Sequence, residues 1–226
     1  ADVIDIGAES TRPYGGSVKI SVEEELERLL PVLDKVLSIS SVPVSVDTYK
    51  SKVAAAALER GAHIANDIWG LQQDPEMAAV VASHNIPVIV MHNRMSTASK
   101  RDIIAEMLDF FRSSLEIGMK AGIGHEKFIV DPGIGFGKTG MQNLEVLARL
   151  AELKTLGCPI LIGTSRKRFI GDILGLPVEE RDEGTGATLV HAIMNGASIV
   201  RVHNVRMAVR ISRMTDALQG WRRKDL

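Results

Sequence analysis

Residues 128–138 read Phe-Ile-Val-Asp-Pro-Gly-Ile-Gly-Phe-Gly-Lys, a short apolar run that ends abruptly in a carboxylate, three glycines and a lysine. Such a run, rich in β-branched residues, is typical of a strand buried on both faces of a parallel sheet. The same order, an apolar run followed by polar residues, occurs at six other places along the chain. The seven predicted strands are Val3–Ile6, Val42–Val46, His63–Ala65, Pro87–Met91, Phe128–Val130, Pro159–Ile162 and Ser198–Val202.

Longer amphipathic segments separate the apolar runs and predict helices. The first follows Ser21 and Glu24, which have the spacing of a capping box, and leucines recur behind them at helical intervals. Asp74 and Pro75 predict the start of another helix, with the aspartate as its N-cap. Further helices are predicted near residues 50–60, 75–84, 101–121, 142–156, 184–195 and 205–219. Helix ends before the next strand are predicted at Gly61, Gly157 and Gly196.

Alternating strands and helices indicate a parallel sheet covered by helices. We therefore predict an α/β fold of the (β/α)8 TIM barrel type, with about seven βα units present. Because a closed barrel needs eight units, we expect the first strand to precede residue 1 and the domain to be incomplete at its N-terminus. No change in composition divides residues 1–226, which predicts a single domain. A seven-stranded open sheet is the alternative.

The composition argues against several classes of protein. The 27 basic and 28 acidic residues are mixed along the 226 positions and give a net charge of −1, which disfavours nucleic acid and membrane surfaces as partners. Cys158 is the single cysteine, so an internal disulfide is impossible and a reducing compartment is indicated. No signal peptide pattern is visible, and we expect a cytoplasmic protein.

Polar residues follow nearly every predicted strand, and in a (β/α) barrel the carboxyl ends of the strands carry the reactive groups. Asp47, Asn66 and Asp131 each follow an apolar strand, so we expect them to be partly buried and to need hydrogen-bond donors. A flat heterocycle with a ring N–H and an exocyclic amino group supplies such donors. Lys167 can donate to a ring carbonyl or ring nitrogen. These residues indicate a guanine-like or pterin ring as the ligand.

Cationic residues in the same set of loops suit a phosphate or pyrophosphate. The candidate ligands of such an anion are Arg12, Arg201 and His203. The arginines are suited to it because a guanidinium binds phosphate oxygens through two parallel N–H groups. The glycines of residues 133–137 are spaced GxGxG, which differs from the Walker phosphate loop. We interpret that segment as a tight turn that presents Phe136 to a ligand, and a phosphate-binding loop is the alternative.

Three other residues have structural interpretations beside functional ones. His92 fits either interpretation equally, and Met91, taken alone, fits the core. Cys158 precedes a proline at a strand start, which disfavours a role as a nucleophile. No group of His, Cys and Asp has the spacing of a structural zinc site.

Taken together and in this order, six segments resemble the dihydropteroate synthase family along the whole chain. They are Asp5-Ile-Gly-Ala-Glu-Ser-Thr-Arg-Pro13, Ser45-Val-Asp-Thr-Tyr-Lys50, Asn66-Asp-Ile-Trp-Gly-Leu71, Asp131-Pro-Gly-Ile-Gly-Phe-Gly-Lys138, Gly163-Thr-Ser-Arg-Lys167 and Arg201-Val-His203. The resemblance implies a transferase of folate biosynthesis with a pterin-binding barrel. Such an enzyme condenses 7,8-dihydropterin-6-ylmethyl diphosphate with p-aminobenzoate and releases pyrophosphate.

The resemblance also implies a role for individual residues. Those expected to bind the pterin are Asp47, Asn66, Ile68, Met91, Asp131, Gly163, Lys167 and Arg201. Those expected to bind p-aminobenzoate, or to lie on a loop that closes over it, are Thr11, Arg12, Pro13, Phe136, Ser165 and Lys167. Pyrophosphate is expected at Arg12, Arg201 and His203. The residues expected to be catalytic are Asp131, Lys167, Arg201 and His203.

Further properties follow from the resemblance alone. The family uses Mg²⁺, positioned with the help of an asparagine on the first strand, which we expect before residue 1, so no metal ligand is expected within this chain. Family members form homodimers and are targets of sulfonamides, which mimic p-aminobenzoate.

The sequence departs from the family pattern after Pro13, where Tyr14 precedes Gly15-Gly16 instead of a glycine following directly. Two rival interpretations remain. A pterin-binding methyltransferase domain, which passes a methyl group from a methylated folate to a corrinoid protein, is disfavoured by the cations of Ser165-Arg-Lys167 and Arg201-Val-His203. A catalytically inactive fragment that binds pterin is the other.

Overall fold

The computed structural model describes residues 1–10, 18–95, 97 and 101–224. Within them lie seven strands, whose order in the sheet is the order of the chain. The strands are β1 (Ile4–Gly7), β2 (Val44–Asp47), β3 (Ile64–Asp67), β4 (Val88–Met91), β5 (Phe128–Asp131), β6 (Ile160–Ile162) and β7 (Ala197–Val200). The α-helices are α1 (Val22–Ile39), α2 (Ser51–Glu59), α3 (Met77–His84), α4 (Ile103–Ala121), α5 (Gly140–Ala148), α6 (Arg168–Leu174), α7 (Asp182–Met194) and α8 (Val205–Lys224). Short 3-10 helices are His125–Lys127, Leu150–Leu156 and Val178–Glu180.

All seven predicted strands are present, and no strand boundary differs from its prediction by more than two residues. One helix, α6, was not predicted. It has only seven residues and starts directly after the polar segment 163–167, so it is too short to show a helical period. The helix predicted near 142–156 is in fact two segments, α5 and the 3-10 helix Leu150–Leu156, which Arg149 separates.

Two predicted helix starts differ in detail from the structure. At α1, the Ser21 hydroxyl accepts from the Glu24 N–H at 3.1 Å as predicted, and the Glu24 carboxylate accepts from Arg28 one turn further on. The start predicted at Asp74-Pro75 is two residues early, because α3 begins at Met77, although the Asp74 carboxylate does accept from the N–H of Glu76 at 3.0 Å. Asp74 accepts from the N–H of Ser51 at 2.8 Å, so it stabilises the first turn of α2.

The chain forms two compact units, and the first comprises Ala1–Asn93 and Asp109–Val130. In this unit β1 to β4 pair in parallel, each with the next. The apolar face of α1 and the inward face of α2 pack with the strand residues Val44 and Val46 in one buried core. This burial holds the strands in register, so the residues at their carboxyl ends have fixed neighbours. The fully buried members of this core include Leu29, Leu33, Val44, Val53 and Ala57.

The second unit comprises Arg94–Leu108 and Asp131–Leu226. In it β6 and β7 pair in parallel, and the register shifts between Ile160 and Leu161, where β7 carries one extra residue. The long helices α7 and α8 pack against each other in the same unit. Among the helices that the structure describes, none has both the length and the apolar character that a membrane span requires.

Candidate active site

In the first unit, polar residues lie next to each other at the carboxyl ends of β1, β2 and β3. Asp47 is paired in register with Gly7 on one side and with Asn66 on the other. Asp5, two residues before the end of β1, accepts a 3.1 Å hydrogen bond from Nδ2 of Asn66. The structure therefore brings Asp47 and Asn66 together as predicted, and it adds Asp5, to which the sequence had assigned no role.

Asn66 is oriented by this contact. Its side chain is fully buried, and its Nδ2 donates to Asp5. Its Oδ1 has no hydrogen-bond partner among the described residues. An unsatisfied buried acceptor costs about 1–3 kcal/mol. The amide oxygen is thus arranged to accept from a ligand that carries an N–H or N–H₂ group.

Asp67 has a structural task in the turn after β3. Its carboxylate accepts from the backbone N–H groups of Trp69 at 2.8 Å and Leu71 at 2.7 Å. Burial raises the pKa of Asp67 to about 6, although these two donors oppose the rise. The turn buries Ile68, one of the predicted pterin contacts, directly after Asn66 in the chain.

Met91 ends β4, His92 follows it directly, and both are buried. The His92 ring packs edge-on against Phe110 of α4, with centroids 5.0 Å apart, and it lies 6.3 Å from Phe111. This aromatic packing gives His92 a structural task, which is one of the two interpretations that the sequence left open. The predicted contact of Met91 with a pterin stays a prediction.

In the second unit, Asp131 is held from two sides. It is 1% exposed, its Oδ1 accepts from the N–H of Gly133 at 2.7 Å, and its Oδ2 accepts from Nη2 of Arg201 at 2.8 Å. The same guanidinium lies against Gly163, where an added Cβ would be only 3.4 Å from two of its nitrogens. Arg201 thus lies at the end of β6, and the structure joins three of the predicted site residues.

Residues 133–137 form a tight turn, as the GxGxG spacing predicted. Gly133, Gly135 and Gly137 have φ values of 62°, 85° and 58°, a backbone region that glycine adopts at little cost. A Cβ at Gly137 would collide with the backbone of Arg94. Lys167 donates to the carbonyl of Ile134, and its Nζ lies 4.9 Å from the centroid of the Phe136 ring. The turn therefore places Phe136 beside Lys167.

Ser165 joins the segment after β6 to the segment after β7. Its Oγ accepts from the backbone N–H of His203 at 3.1 Å and lies 2.8 Å from Nδ1 of the same residue. The Ser165 hydroxyl can donate to Nδ1 or accept from it, because a hydroxyl oxygen that accepts one hydrogen bond still has a second lone pair. The predicted partners Ser165 and His203 are thus in direct contact.

Arg166, between Ser165 and Lys167, has an unusual backbone conformation. Its φ is 55°, which is rare for a residue with a Cβ. Its guanidinium makes a bidentate ion pair with Asp182, at 2.8 and 3.1 Å, and its N–H donates to Oγ1 of Thr185 at 3.0 Å. The Arg166 hydrogen bond, followed by that of Asn204, lowers the pKa of Asp182 to about 2. These contacts hold Arg166 in its strained backbone conformation. They therefore fix the orientation of the chain at Ser165 and Lys167.

Thr11, Arg12 and Pro13 lie outside the described residues. On either side of the segment 11–17, Glu9 and Ile20 both contact the ammonium group of Lys50.

Comparison with known proteins decides the family. A family model described as pterin binding enzyme matches residues 1–203. The dihydropteroate synthase of Bacillus subtilis (strain 168) is 48% identical over 218 residues, a match that covers 96% of this chain and 75% of the relative. The chain belongs to the dihydropteroate synthase family. Members of this family are transferases, and so is this chain.

Two solved dihydropteroate synthases confirm the predicted fold class. The enzyme from Clostridium difficile, solved in the presence of pteroic acid, matches with a TM-score of 0.93 at 47% identity, over 96% of this chain and 82% of the other. The Xanthomonas albilineans enzyme with 4-aminobenzoic acid matches with a TM-score of 0.92 at 39% identity, over 97% and 80%. Strands and helices of this chain therefore follow the TIM barrel type of fold of dihydropteroate synthase.

Four residues that contact the predicted site residues or the glycine turn were given no role by the sequence analysis. Asp5 and Lys138 stand inside quoted motifs, and a carboxylate within an apolar strand was the available signal for Asp5. Arg94 and Asp182 gave no such signal. Nη1 of Arg94 contacts both carboxylate oxygens of Glu106 at 3.0 Å, and its Nε donates to the Gly137 carbonyl at 2.5 Å. Only the fold shows that Arg94 supports the glycine turn.

Proposed function

We propose that this chain condenses 7,8-dihydropterin-6-ylmethyl diphosphate with p-aminobenzoate to give dihydropteroate and pyrophosphate in folate biosynthesis. Besides membership of the family, one observation carries the proposal. The buried Asn66 amide, oriented by Asp5 and in register with Asp47, has an acceptor oxygen that the described protein leaves unsatisfied. The edge of a pterin has the N–H and N–H₂ donors that this group of acceptors requires.

The pterin is bound through its donor and acceptor groups. Asp47 and Asn66 accept from the ring N–H and the exocyclic amino group, and Lys167 donates to a ring carbonyl or nitrogen. Asp131 is the charged acceptor of the second unit, and Arg201 lies against the pterin face. Apolar and small residues that line the ring are Ile68, Met91 and Gly163.

The second substrate is bound beside the glycine turn. Phe136 offers a ring face to the aromatic amine, and Lys167 offers a cation to its carboxylate. The 4.9 Å approach of Lys167 Nζ to the Phe136 ring supports a shared substrate for the two. Ser165 donates to the same carboxylate, and Thr11, Arg12 and Pro13 contribute from the loop after β1. Because sulfonamides mimic p-aminobenzoate, they are inhibitors of this reaction.

The chemistry needs charge stabilisation more than a nucleophile. The bond between the pterin methylene and the diphosphate oxygen breaks, and its electron pair leaves with pyrophosphate. Arg12, Arg201 and His203 bind the leaving group, while Asp131 stabilises the positive charge on the pterin. The amine nitrogen of p-aminobenzoate then forms the new C–N bond and loses a proton. Catalytic roles thus belong to Asp131, Lys167, Arg201 and His203.

Mg²⁺ is the cofactor proposed with this reaction, in which a divalent cation neutralises diphosphate charge. The part of the chain that the structure describes contains no group of three or more His, Cys, Asp or Glu residues that could hold a metal ion. Mg²⁺ in such sites is commonly bound by one or two side chains together with substrate phosphate oxygens, and the steps above are assigned to side chains alone.

The helices α7 and α8 carry apolar residues that a partner subunit can cover. Val190, Met194, Met214 and Leu218 are 39–60% exposed, and the two helices pack against each other. We propose that this surface forms a homodimer and that the protein is cytoplasmic, as the single buried cysteine suggests. In sedimentation experiments, Met214→Glu is expected to shift the protein from dimer to monomer, and a dimer unchanged by Met214→Glu and Leu218→Glu together would place the interface elsewhere.

The function is tested by pyrophosphate release from the pterin diphosphate, measured with and without p-aminobenzoate. A parallel assay follows methyl transfer from a methylated folate to a corrinoid protein. Release that depends on the amine supports the proposal. Methyl transfer without release would reassign the chain to the methyltransferases, and pterin binding without either reaction would make it an inactive binding domain.

A further inference from the structure

Lys138, the residue that follows the glycine turn, is completely buried. Its side chain is 0% exposed, and its Nζ donates to the backbone carbonyls of Gly133 at 2.9 Å and Phe136 at 3.0 Å. Both acceptors belong to the turn 133–137. The lysine therefore binds the first carbonyl of the turn and the carbonyl of its aromatic residue from the interior of the unit.

Burial of an ammonium group is unfavourable, so its retention here needs a reason. Desolvation lowers the pKa of Lys138 well below its usual range, the charge of Asp131 opposes the change, and Arg94 and Lys167 add to it. An apolar side chain of similar length would fill the same space without that cost. Since Lys138 is the donor to two turn carbonyls, the shape of the turn is the property that such a replacement would change.

Contacts on three sides fix the same turn. Lys138 binds the carbonyls of residues 133 and 136, and Lys167 donates to the carbonyl of Ile134 between them. Asn143 of α5 accepts from the N–H of Gly135 at 2.7 Å. Two ammonium groups and an amide thus determine where the Phe136 ring lies in relation to Lys167.

We propose that Lys138 is a positioning residue for the aromatic amine substrate. It acts by holding the turn 133–137 so that Phe136 stays beside Lys167. The inference rests on the proposed function, because it assigns those two side chains to p-aminobenzoate. It goes further in stating that amine recognition depends on a buried lysine that the substrate does not touch.

The test is the substrate selectivity of Lys138→Met. This change keeps the length of the side chain and removes its donors. The KM for p-aminobenzoate is expected to rise at least about tenfold (about 1.4 kcal/mol). The KM for the pterin diphosphate should change less than about threefold, because Asp131 keeps its ion pair with Arg201 even if its second donor, the N–H of Gly133 in the turn, moves. The inhibition constant of a sulfonamide should rise in parallel with the KM for the amine.

The matched control is Lys127→Met, the same exchange at a half-buried lysine that donates to the Asn85 carbonyl in the first unit. It is expected to leave both KM values unchanged. The inference would be overturned if Lys138→Met raised both KM values by the same factor, or raised neither. Lys138 would then only support the fold.

Asn143→Ala keeps the inference testable if Lys138→Met does not fold. It removes the bond to Gly135 and should produce the same selective rise for the amine, smaller in size. An unchanged KM for the amine in this variant would overturn the inference. Failure of the wild-type chain to release pyrophosphate would instead count against the proposed function, so the two failures are distinguishable.

Discussion

Asp131 and Arg201, 70 positions apart in the chain, form an ion pair in which Nη2 donates to Oδ2 at 2.8 Å. The carboxylate is 1% exposed, whereas the guanidinium is 30% exposed. The acid is therefore fixed in the interior, while part of the cation faces solvent. This arrangement suits a carboxylate that stabilises charge on a ring and an arginine that binds a diphosphate leaving group.

Replacement of Asp131 by Asn is the first prediction. The amide can still accept from Gly133, but the negative charge beside the pterin is lost, and Arg201 loses its ionic partner. Turnover is expected to fall at least about 10²-fold, which corresponds to about 2.7 kcal/mol of transition-state stabilisation. The measurement is steady-state pyrophosphate release at saturating substrates.

Asp172→Asn is the control for that variant, because Asp172 pairs with Arg168 on an exposed part of α6. It is expected to leave turnover within about twofold. Wild-type turnover in Asp131→Asn, with a normal unfolding temperature, would contradict a catalytic role for the carboxylate.

Lys167→Ala tests the cation that lies over the Phe136 ring. The change removes the ammonium group from the ring and from the Ile134 carbonyl, so both the pterin and the amine lose a donor. A decrease of at least about 10²-fold in kcat/KM is expected. Lys127→Ala serves as the comparison, and equal kinetics of the two variants would count against Lys167 as a substrate ligand.

Asn66→Ala tests the unsatisfied acceptor of the first unit. Loss of the amide oxygen is expected to raise the KM for the pterin diphosphate about 10- to 100-fold, in line with about 1–3 kcal/mol for a buried hydrogen bond. The KM for p-aminobenzoate should stay within about twofold, since no contact to the amine is assigned to Asn66. Isothermal titration with a non-reactive pterin measures the same loss without turnover. Unchanged pterin affinity would remove the observation on which the proposed function rests.

Local sequence patterns were sufficient to predict the strands and most of the helices. A buried parallel strand needs a run of apolar β-branched residues, and that need is visible at Val88–Met91 and Phe128–Asp131 without any structure. The helix α6 gave no such signal, because seven residues show no complete period. Asp74 accepts from the N–H of Glu76, as a local cap would, and also from the N–H of Ser51, a contact across 23 positions that no local pattern predicts.

The residue types of the site could be predicted from the sequence, but most of their hydrogen-bond partners could not. Asp47 and Asn66 were expected together because consecutive parallel strands end at one edge of a sheet, and the register confirms it. Asp67, directly after Asn66 in the chain, holds a turn through two backbone N–H groups, which the sequence did not indicate. The burial of Lys138 depends on the carbonyls of Gly133 and Phe136, which a turn with left-handed glycines presents, and composition does not encode this backbone detail.

The last prediction concerns the pH dependence of stability at Asp182. Arg166 and Asn204 lower the pKa of this carboxyl to about 2, below its ordinary value of about 3.9. A depressed folded-state pKa means that the stabilisation is fully present above about pH 4 and is lost as the pH falls through about 2. Asp182→Asn is therefore expected to destabilise the protein by about 1 kcal/mol at pH 7. This difference should shrink towards pH 2, as measured by urea unfolding of both proteins across that range.

Asp34→Asn, which breaks an ion pair between two half-exposed side chains, is the control and should change stability by less than about 0.5 kcal/mol. A destabilisation by Asp182→Asn that is the same at pH 7 and pH 2 would mean that the hydrogen bonds of Asp182, and not its charge, hold Arg166 in its left-handed conformation.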